Sequence, residues 1–336
     1  MAVTPFFNLR NLVLNKCNNF LLAGSSRDKC YKFLLDGYFV GFIQPGVLDW
    51  LLKYAKVFVK ISHPQHGDQC VTVHQTLTNV KDRSDAVAEV MQDLRATSPF
   101  KALKGWRNED YGVYIHNREK LLLKIERSAS NLLGVIRYGV HVNGFFSSRC
   151  NYYQKSDRVT NGNLHSSDDP KSLDQTDPDN VFMWLGIRSM NKPTWPGMLD
   201  NMAAGGLTYG LDAVECARKE CQEEASVPAH MLDKLTLVNQ LSYIFEDERG
   251  VCPQIEYCFD LELPPDFIPV SSDGEVDSFQ LVSISEIKQL IFDERFKSNS
   301  ALVVLDFLYR HKFIDKDSDP RHAEIQSLMH VNLPLD

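Results

Sequence analysis

A glycine-punctuated turn, Gly205-Gly206-Leu207-Thr208-Tyr209-Gly210, runs directly into a segment whose composition only a helix explains. Asp212 is a plausible N-cap, and the spacing predicts a helix over 213–225. Val214, Ala217, Cys221 and Ala225 recur at intervals of three and four, which assigns them to its apolar face. Glu223 and Glu224 follow Glu220 at i+3 and i+4, so three carboxylates crowd one sector. Like charges at that spacing cost a helix roughly 0.2–0.5 kcal/mol per pair. They also sit toward the C-terminal end, where the helix dipole disfavours anions. Arg218 and Lys219 offset only part of this. Two readings stand: a solvated acidic face, or a site for a hard cation such as Mg²⁺, which prefers carboxylate oxygens and bridges to substrate phosphates.

Around this segment the pattern predicts two units. Residues 1–140 read as a smaller α+β unit. Tyr31–Leu35 and Tyr38–Ile43 are strand-like, and Asp36-Gly37 between them is a two-residue hairpin signal. Val47–Tyr54 reads as a helix, Phe58–Ile61 as a strand, and Ser84 as the N-cap of a helix over Asp85–Leu94. An amphipathic stripe of Leu9, Leu12, Val13, Cys17 and Phe20 precedes them. Nothing in this unit has catalytic spacing, and His63, His66 and His74 are assigned to surface or packing roles. Residues 141–336 form the second unit, opening on a strand over 141–149. Asn151–Asn180 is polar and poor in aliphatics, and is read as a flexible insertion. Strands over Val181–Ile187, Leu235–Phe245 and Cys252–Leu263 follow, then helices over Ser285–Phe292 and Ser298–Lys312. Strands around a central helix, with more helices behind, suggest an α/β/α sandwich.

With 36 basic and 44 acidic residues the net charge is −8, which does not favour a polyanionic partner such as nucleic acid. No window of about 18 uncharged apolar residues marks a membrane span. The eight cysteines form no CxxC pair, so a zinc site is not expected and reduced thiols are. Because the N-terminus reads as folded structure, a cytoplasmic location is the expectation.

The stretch Gly205-Gly206, Gly210 and Lys219-Glu220-Cys221-Gln222-Glu223-Glu224-Ala225-Ser226-Val227 resembles the Nudix box, a loop–helix–loop carrying Arg-Glu-hydrophobic-x-Glu-Glu-x-Gly-hydrophobic. Lys219 stands where the box has Arg, Ser226 where it has Gly, and Leu211 where it has an early Glu. Outside the box, Lys192-Pro193-Thr194-Trp195-Pro196-Gly197-Met198-Leu199-Asp200-Asn201, Phe245–Gly250 and Asp273–Phe279 look like the Nudix proteins related to fungal thiamine pyrophosphokinase and their plant counterparts. In that group an α/β domain precedes the Nudix domain.

The resemblance implies a Nudix α/β/α sandwich with a mixed sheet, and hydrolysis of a small-molecule diphosphate. It points to thiamine diphosphate and its oxothiamine and oxythiamine analogues, cleaved to monophosphate plus phosphate as removal of damaged cofactor. It implies that Glu220, Glu223 and Glu224 hold Mg²⁺ or Mn²⁺, with the Gly205 carbonyl region completing the shell and Lys219 in an orienting role. Glu223 or Glu224 is a candidate proton acceptor. Glu275 resembles an extra carboxylate that such enzymes place near the metal, and an exposed turn acid is the alternative. Arg188 and Lys192 are candidates for phosphate contact, and Trp195 for stacking on a heteroaromatic ring or for packing its own loop. Asp200 and Asn201 are expected to shape the turn, and Tyr243 and Phe245 to join the core. Many relatives of the fold dimerise, so a homodimer is allowed. Competing readings are a hydrolase of another nucleoside diphosphate derivative such as ADP-ribose, an RNA decapping enzyme, disfavoured by the acidic balance, and a non-catalytic thiamine-binding module.

Overall fold

The computed structural model describes residues 5–115, 118–147, 180–315 and 322–334. The polar insertion expected at 151–180 lies, except for its last residue, outside the described residues.

Helix α1 (Pro5–Arg10) continues through a wider helical turn over Asn11–Lys16. Strands β1 (Tyr31–Leu35) and β2 (Tyr38–Ile43) form the expected hairpin, with both Asp36 and Gly37 at positive φ. That is the backbone a twist-matched two-residue turn requires. Helix α2 (Pro45–Leu51), β3 (Phe58–His63) and β4 (Gly67–Val73) follow, and β4 joins β1 in parallel to complete the sheet order β2-β1-β4-β3. Helix α3 spans Val80–Thr97 and is capped by Asn79, not by Ser84. Ser84 lies inside the helix, where its hydroxyl donates to the Val80 carbonyl at 2.6 Å and accepts from the Lys124 N–H at 2.9 Å. Local side-chain bonding of this kind lets a serine sit mid-helix and mimics a cap in the sequence. The hairpin β5 (Asp110–Ile115) and β6 (Lys120–Glu126) packs its β6 strand on α3, and the short α4 (Ser130–Leu133) ends the unit.

Strand β7 (Arg137–Ser147) is the middle of the second sheet, so the junction expected at residue 140 falls inside a strand. The sheet order is β11-β12-β7-β8-β13, with β10 on β7 and β9 on β8. Its strands are β8 (Val181–Arg188), β9 (Leu199–Asn201), β10 (Ala203–Gly206), β11 (Thr236–Asp247), β12 (Gly250–Glu262) and β13 (Val276–Ser283). β7 and β12 run parallel and the other pairs antiparallel, so the sheet is mixed. Helix α5 (Ala213–Ala225) covers one face, packing Ala217, Cys221 and Ala225 onto Val140, Val142 and Phe259. Helices α6 (Ile284–Leu290), α7 (Ser298–Arg310) and α8 (His322–Met329) cover the other. Every residue of α7 from Ser300 to Tyr309 is buried, as a helix between two layers demands. The result is an α/β/α sandwich preceded by an α+β unit.

The N-terminal stripe is helical, but its core is not that of the unit it begins. Leu9, Leu12, Val13 and Cys17 pack with α7 and α8 of the second unit. Phe20 then joins Phe39 and Phe42 of the first sheet to Ile244 and Val251 of β11 and β12. Buried Asn18 fixes the crossing. It donates to the Val13 and Leu328 carbonyls, both at 2.8 Å, and accepts from the Ile244 N–H at 3.0 Å. An amphipathic stripe shows that a face is buried, not what buries it.

Candidate active site

Strand β10 and helix α5 build the centre of the site. The Asp212 carboxylate accepts from the Glu215 N–H at 2.8 Å while Glu215 reaches back to the Asp212 N–H at 3.0 Å. This capping box starts α5 at the end of the glycine turn. Alternation along β10 turns Gly205 toward α5 and Gly206 toward the β5–β6 hairpin. A Cβ on Gly205 would lie 2.2 Å from the Glu220 carboxyl carbon, and one on Gly206 would lie 1.8 Å from the Tyr111 hydroxyl. A side chain at either position would displace Glu220 or Tyr111, and glycine permits both close approaches.

The three glutamates do not share one environment. Glu224 stands three residues from Cys221 and seven from Ala217, the spacing of the buried stripe, and is 5% exposed. Its Oε2 accepts from the Ala204 N–H at 2.8 Å. Burial, with Glu220 close by, raises its carboxyl to about 8. Glu220 is largely buried over Gly205, and burial raises it too. Glu223 turns outward, where Lys219 binds it at 2.8 Å and approaches Glu220 at 3.8 Å. The expectation of three carboxylates in one sector is thus corrected to two facing in and one at the rim. Val214, expected on the apolar face, is in the first turn and 43% exposed. Among the described residues no three acidic, histidine or cysteine side chains converge as a ready-made cage.

Ser226, in the glycine place of the box, adopts the left-handed conformation at φ 51°. That conformation costs a non-glycine residue roughly 1–2 kcal/mol, and here the hydroxyl donates to the Val270 carbonyl at 2.7 Å. Ser272 holds the carbonyl of Glu223 from the same loop at 2.5 Å. These bonds tie the loop after β12 to the end of α5 and bring Glu275 to the cleft. There Glu275 forms an ion pair with Lys192. Burial, then Arg188 nearby, pulls the Lys192 ammonium down to about 8 despite that partner.

A cavity of about 1050 Å³ opens onto Glu220, Glu223, Lys219, Glu275, Lys192 and Trp195. The Trp195 ring lies 4.7 Å beneath the Arg249 guanidinium, with its backbone at positive φ. Arg188 lines the cavity but does not have the role expected of it. It is buried, pairs with Asp200 at 2.8 Å, and donates to the Trp195 and Thr194 carbonyls at 3.0 Å each. It is the brace of the Trp195 loop, not a free phosphate donor. Asp200 is more than a turn residue: Lys297 at 3.0 Å and Ser300 also bind it, and these charges hold it well below the usual carboxylate range. Asn201 bonds His141 and Asn143 at 2.8 and 2.9 Å. Tyr243 is buried as expected, and its hydroxyl donates to Glu256 at 2.9 Å at the cavity wall, while Phe245 packs on the core and lines the cavity as well.

A family model described as the NUDIX domain matches residues 174–302, and one described as a domain of unknown function (DUF4743) matches residues 11–137. The chain is 32% identical over 310 residues to "Nudix hydrolase 20, chloroplastic" of Arabidopsis thaliana, covering 91% of this chain and 73% of that one. The chain belongs to the Nudix hydrolase family. "Nudix hydrolase 24, chloroplastic" of the same plant is also 32% identical, over 85% of this chain and 69% of its own length. Among solved structures, DR0079 from Deinococcus radiodurans matches at 16% identity and a TM-score of 0.37, covering 59% of this chain and 98% of that one. So loose a likeness carries no argument about chemistry. As a Nudix diphosphate hydrolase, the protein carries its box on β10 and α5, at the wall of the cavity.

The cavity also has residues that no motif singles out. Arg107, Glu109, Tyr111 and Arg127 come from the N-terminal unit. Arg127 binds Glu109 at 2.9 Å, and Glu109 accepts from Thr208 in the glycine turn at 2.5 Å. The Tyr209 N–H donates to the Asp110 carbonyl at 2.9 Å, and Arg118 donates to that of Leu211 at 3.3 Å. The hairpin therefore grips the turn that starts α5. No motif spacing announces such a contact, because tertiary structure alone makes it.

Proposed function

We propose that this Nudix hydrolase cleaves thiamine diphosphate and its oxidised or toxic analogues to the monophosphate and phosphate, in the cytoplasm, as disposal of damaged cofactor. The observation that carries the hydrolytic reading is the carboxylate set of α5, with Glu220 over Gly205 and Glu223 lining the cavity and Glu224 buried behind them. Trp195, which lines the cavity beside the Arg249 guanidinium that stacks on its ring, supports a heteroaromatic substrate.

The donor set fits a divalent metal. Burial pushes both carboxyls up, and each has an acidic neighbour that adds to this, Glu223 for Glu220 and Glu220 for Glu224, a strain that a divalent cation would relieve. Glu220 and Glu224 would hold Mg²⁺ or Mn²⁺ beside Gly205, which packs against Glu220. Such a cation neutralises diphosphate oxygens and lowers the pKa of bound water. The protein's own groups do the rest. Oε2 of Glu224 is occupied by the Ala204 N–H, which leaves Oε1 for the metal, and Glu223, which lines the cavity, would accept the proton of the attacking water. As the water oxygen bonds to phosphorus, the bridging P–O bond breaks and the monophosphate departs. Lys192 is placed to meet phosphate oxygens on exchanging its pairing with Glu275.

The test is phosphate release with Mg²⁺ or Mn²⁺ from thiamine diphosphate, oxythiamine diphosphate, oxothiamine diphosphate, ADP-ribose and capped RNA, with products identified. Preference for the thiamine compounds supports the proposal. Turnover of ADP-ribose alone keeps the chemistry and removes the thiamine assignment.

A further inference from the structure

The two walls of the cavity differ in charge. The box contributes Glu220 and Glu223 with Lys219, whereas residues 101–127 of the N-terminal unit contribute Lys101, Lys104, Arg107 and Arg127 with Glu109. Two of those four cations are paired, Lys101 with Glu248 at 2.6 Å and Arg127 with Glu109 at 2.9 Å. The Arg107 side chain forms no ion pair or hydrogen bond among the described residues, although its backbone is rigidly held. Buried Glu126 accepts from the N–H groups of Arg107 at 3.0 Å, Glu109 at 3.1 Å and Ser128 at 3.2 Å. Arg107, though exposed to solvent, thus lines the cavity from a fixed turn. Partial burial and two nearby guanidinium groups pull it below its ordinary value. Arg127 and Arg188 oppose its charge, Glu109 partly offsets them, and Arg107 in turn acts on Lys192 across the cavity. Lys101 and Arg127 already have acidic partners, which leaves Lys104 and Arg107 without one among the described residues, and an anion entering the cavity would supply it. A guanidinium among them is the group best shaped for phosphate oxygens.

We propose that the N-terminal unit is half of the active site, and that Arg107 binds the substrate's diphosphate from the wall opposite the glutamates. The assignment gives a role to the residues matched as a domain of unknown function. It rests on the reading of the cavity as a diphosphate site. Arg127 and Lys192 flank the bound anion, and Glu109 keeps Arg127 in place against the glycine turn. The anion-binding groups then come from both units and the metal-binding groups from the second, so only the docked pair recognises substrate.

The experiment is calorimetric titration of the full chain, without metal and at low salt, with inorganic diphosphate. Arg107→Gln is compared with the wild type, with Arg107→Lys, and with Lys234→Gln as a charge-matched control outside the cavity. Loss of a charge-assisted bond to phosphate corresponds to roughly 10- to 100-fold weaker binding. That loss is expected for Arg107→Gln, with partial recovery in Arg107→Lys and none of it in the control. Wild-type affinity in Arg107→Gln overturns the proposal, as does a wild type that does not bind diphosphate. Phosphate release is read in parallel, with KM expected to rise in Arg107→Gln far more than kcat falls. If Arg107-dependent binding is found but no diphosphate is hydrolysed, the anion site stands and the substrate reading fails.

Discussion

Glu224 shows how one residue carries both the cost and the use of the site. A carboxyl raised to about 8 binds its proton more tightly in the folded state than in the unfolded one. Between the ordinary carboxylate value and about 8, the unfolded chain binds fewer protons, so stability falls as pH rises through that window. The metal-free protein should therefore be more stable near pH 5 than near pH 9. Glu224→Gln keeps an oxygen for the Ala204 N–H and removes the titration. The variant should melt at least as high as the wild type at pH 9, lose much of the pH dependence, and be almost inactive. Thermal melts at the two pH values check this, and a variant that melts lower at pH 9 contradicts it. The same residue marks where sequence reading stopped. Three glutamates within five positions were legible as a cation site, but the inward turn of Glu224 depends on which arc of α5 meets the sheet. Arg188 was misread for a related reason: a cation near a glutamate-rich helix suggests phosphate, whereas Asp200 and two loop carbonyls already claim it.

At the scale of elements, local signals translated well. Asp36-Gly37 specified its hairpin, and Asp212 with Glu215 started α5 where the stripe predicted. Strands β9 and β10 were missed because three or four residues paired to a long neighbour carry too little alternation to read. The docking of β5 and β6 on β10 was equally invisible, since Gly206 is small for the sake of Tyr111, nearly a hundred residues earlier. Gly206→Ala should therefore push the hairpin off the strand and destabilise the protein by about 1–3 kcal/mol. Tyr111→Phe in the same chain removes the clashing hydroxyl and should recover part of that loss, a coupling that a double-mutant cycle measures. Strictly additive effects would contradict the contact.

At the scale of the molecule, composition and pattern described two units in series, and the structure shows them interleaved. Residues Leu9–Cys17 complete the core behind α7, and Phe20 bridges both sheets. The hairpin of the first unit grips the catalytic turn of the second, so the cavity belongs to both. A chain whose surface is acidic overall thereby presents a basic wall to an anionic substrate, a local arrangement that net charge cannot reveal. The central claim is that the buried carboxylates of α5 perform diphosphate hydrolysis in this cavity. Its most direct test is the steady-state turnover of Glu220→Gln with thiamine diphosphate and Mg²⁺, alongside its melting temperature. The account predicts that kcat falls by about a thousandfold or more, equivalent to about 4 kcal/mol of lost transition-state stabilisation, while the melting temperature holds or rises. A variant that is folded and fully active would contradict it.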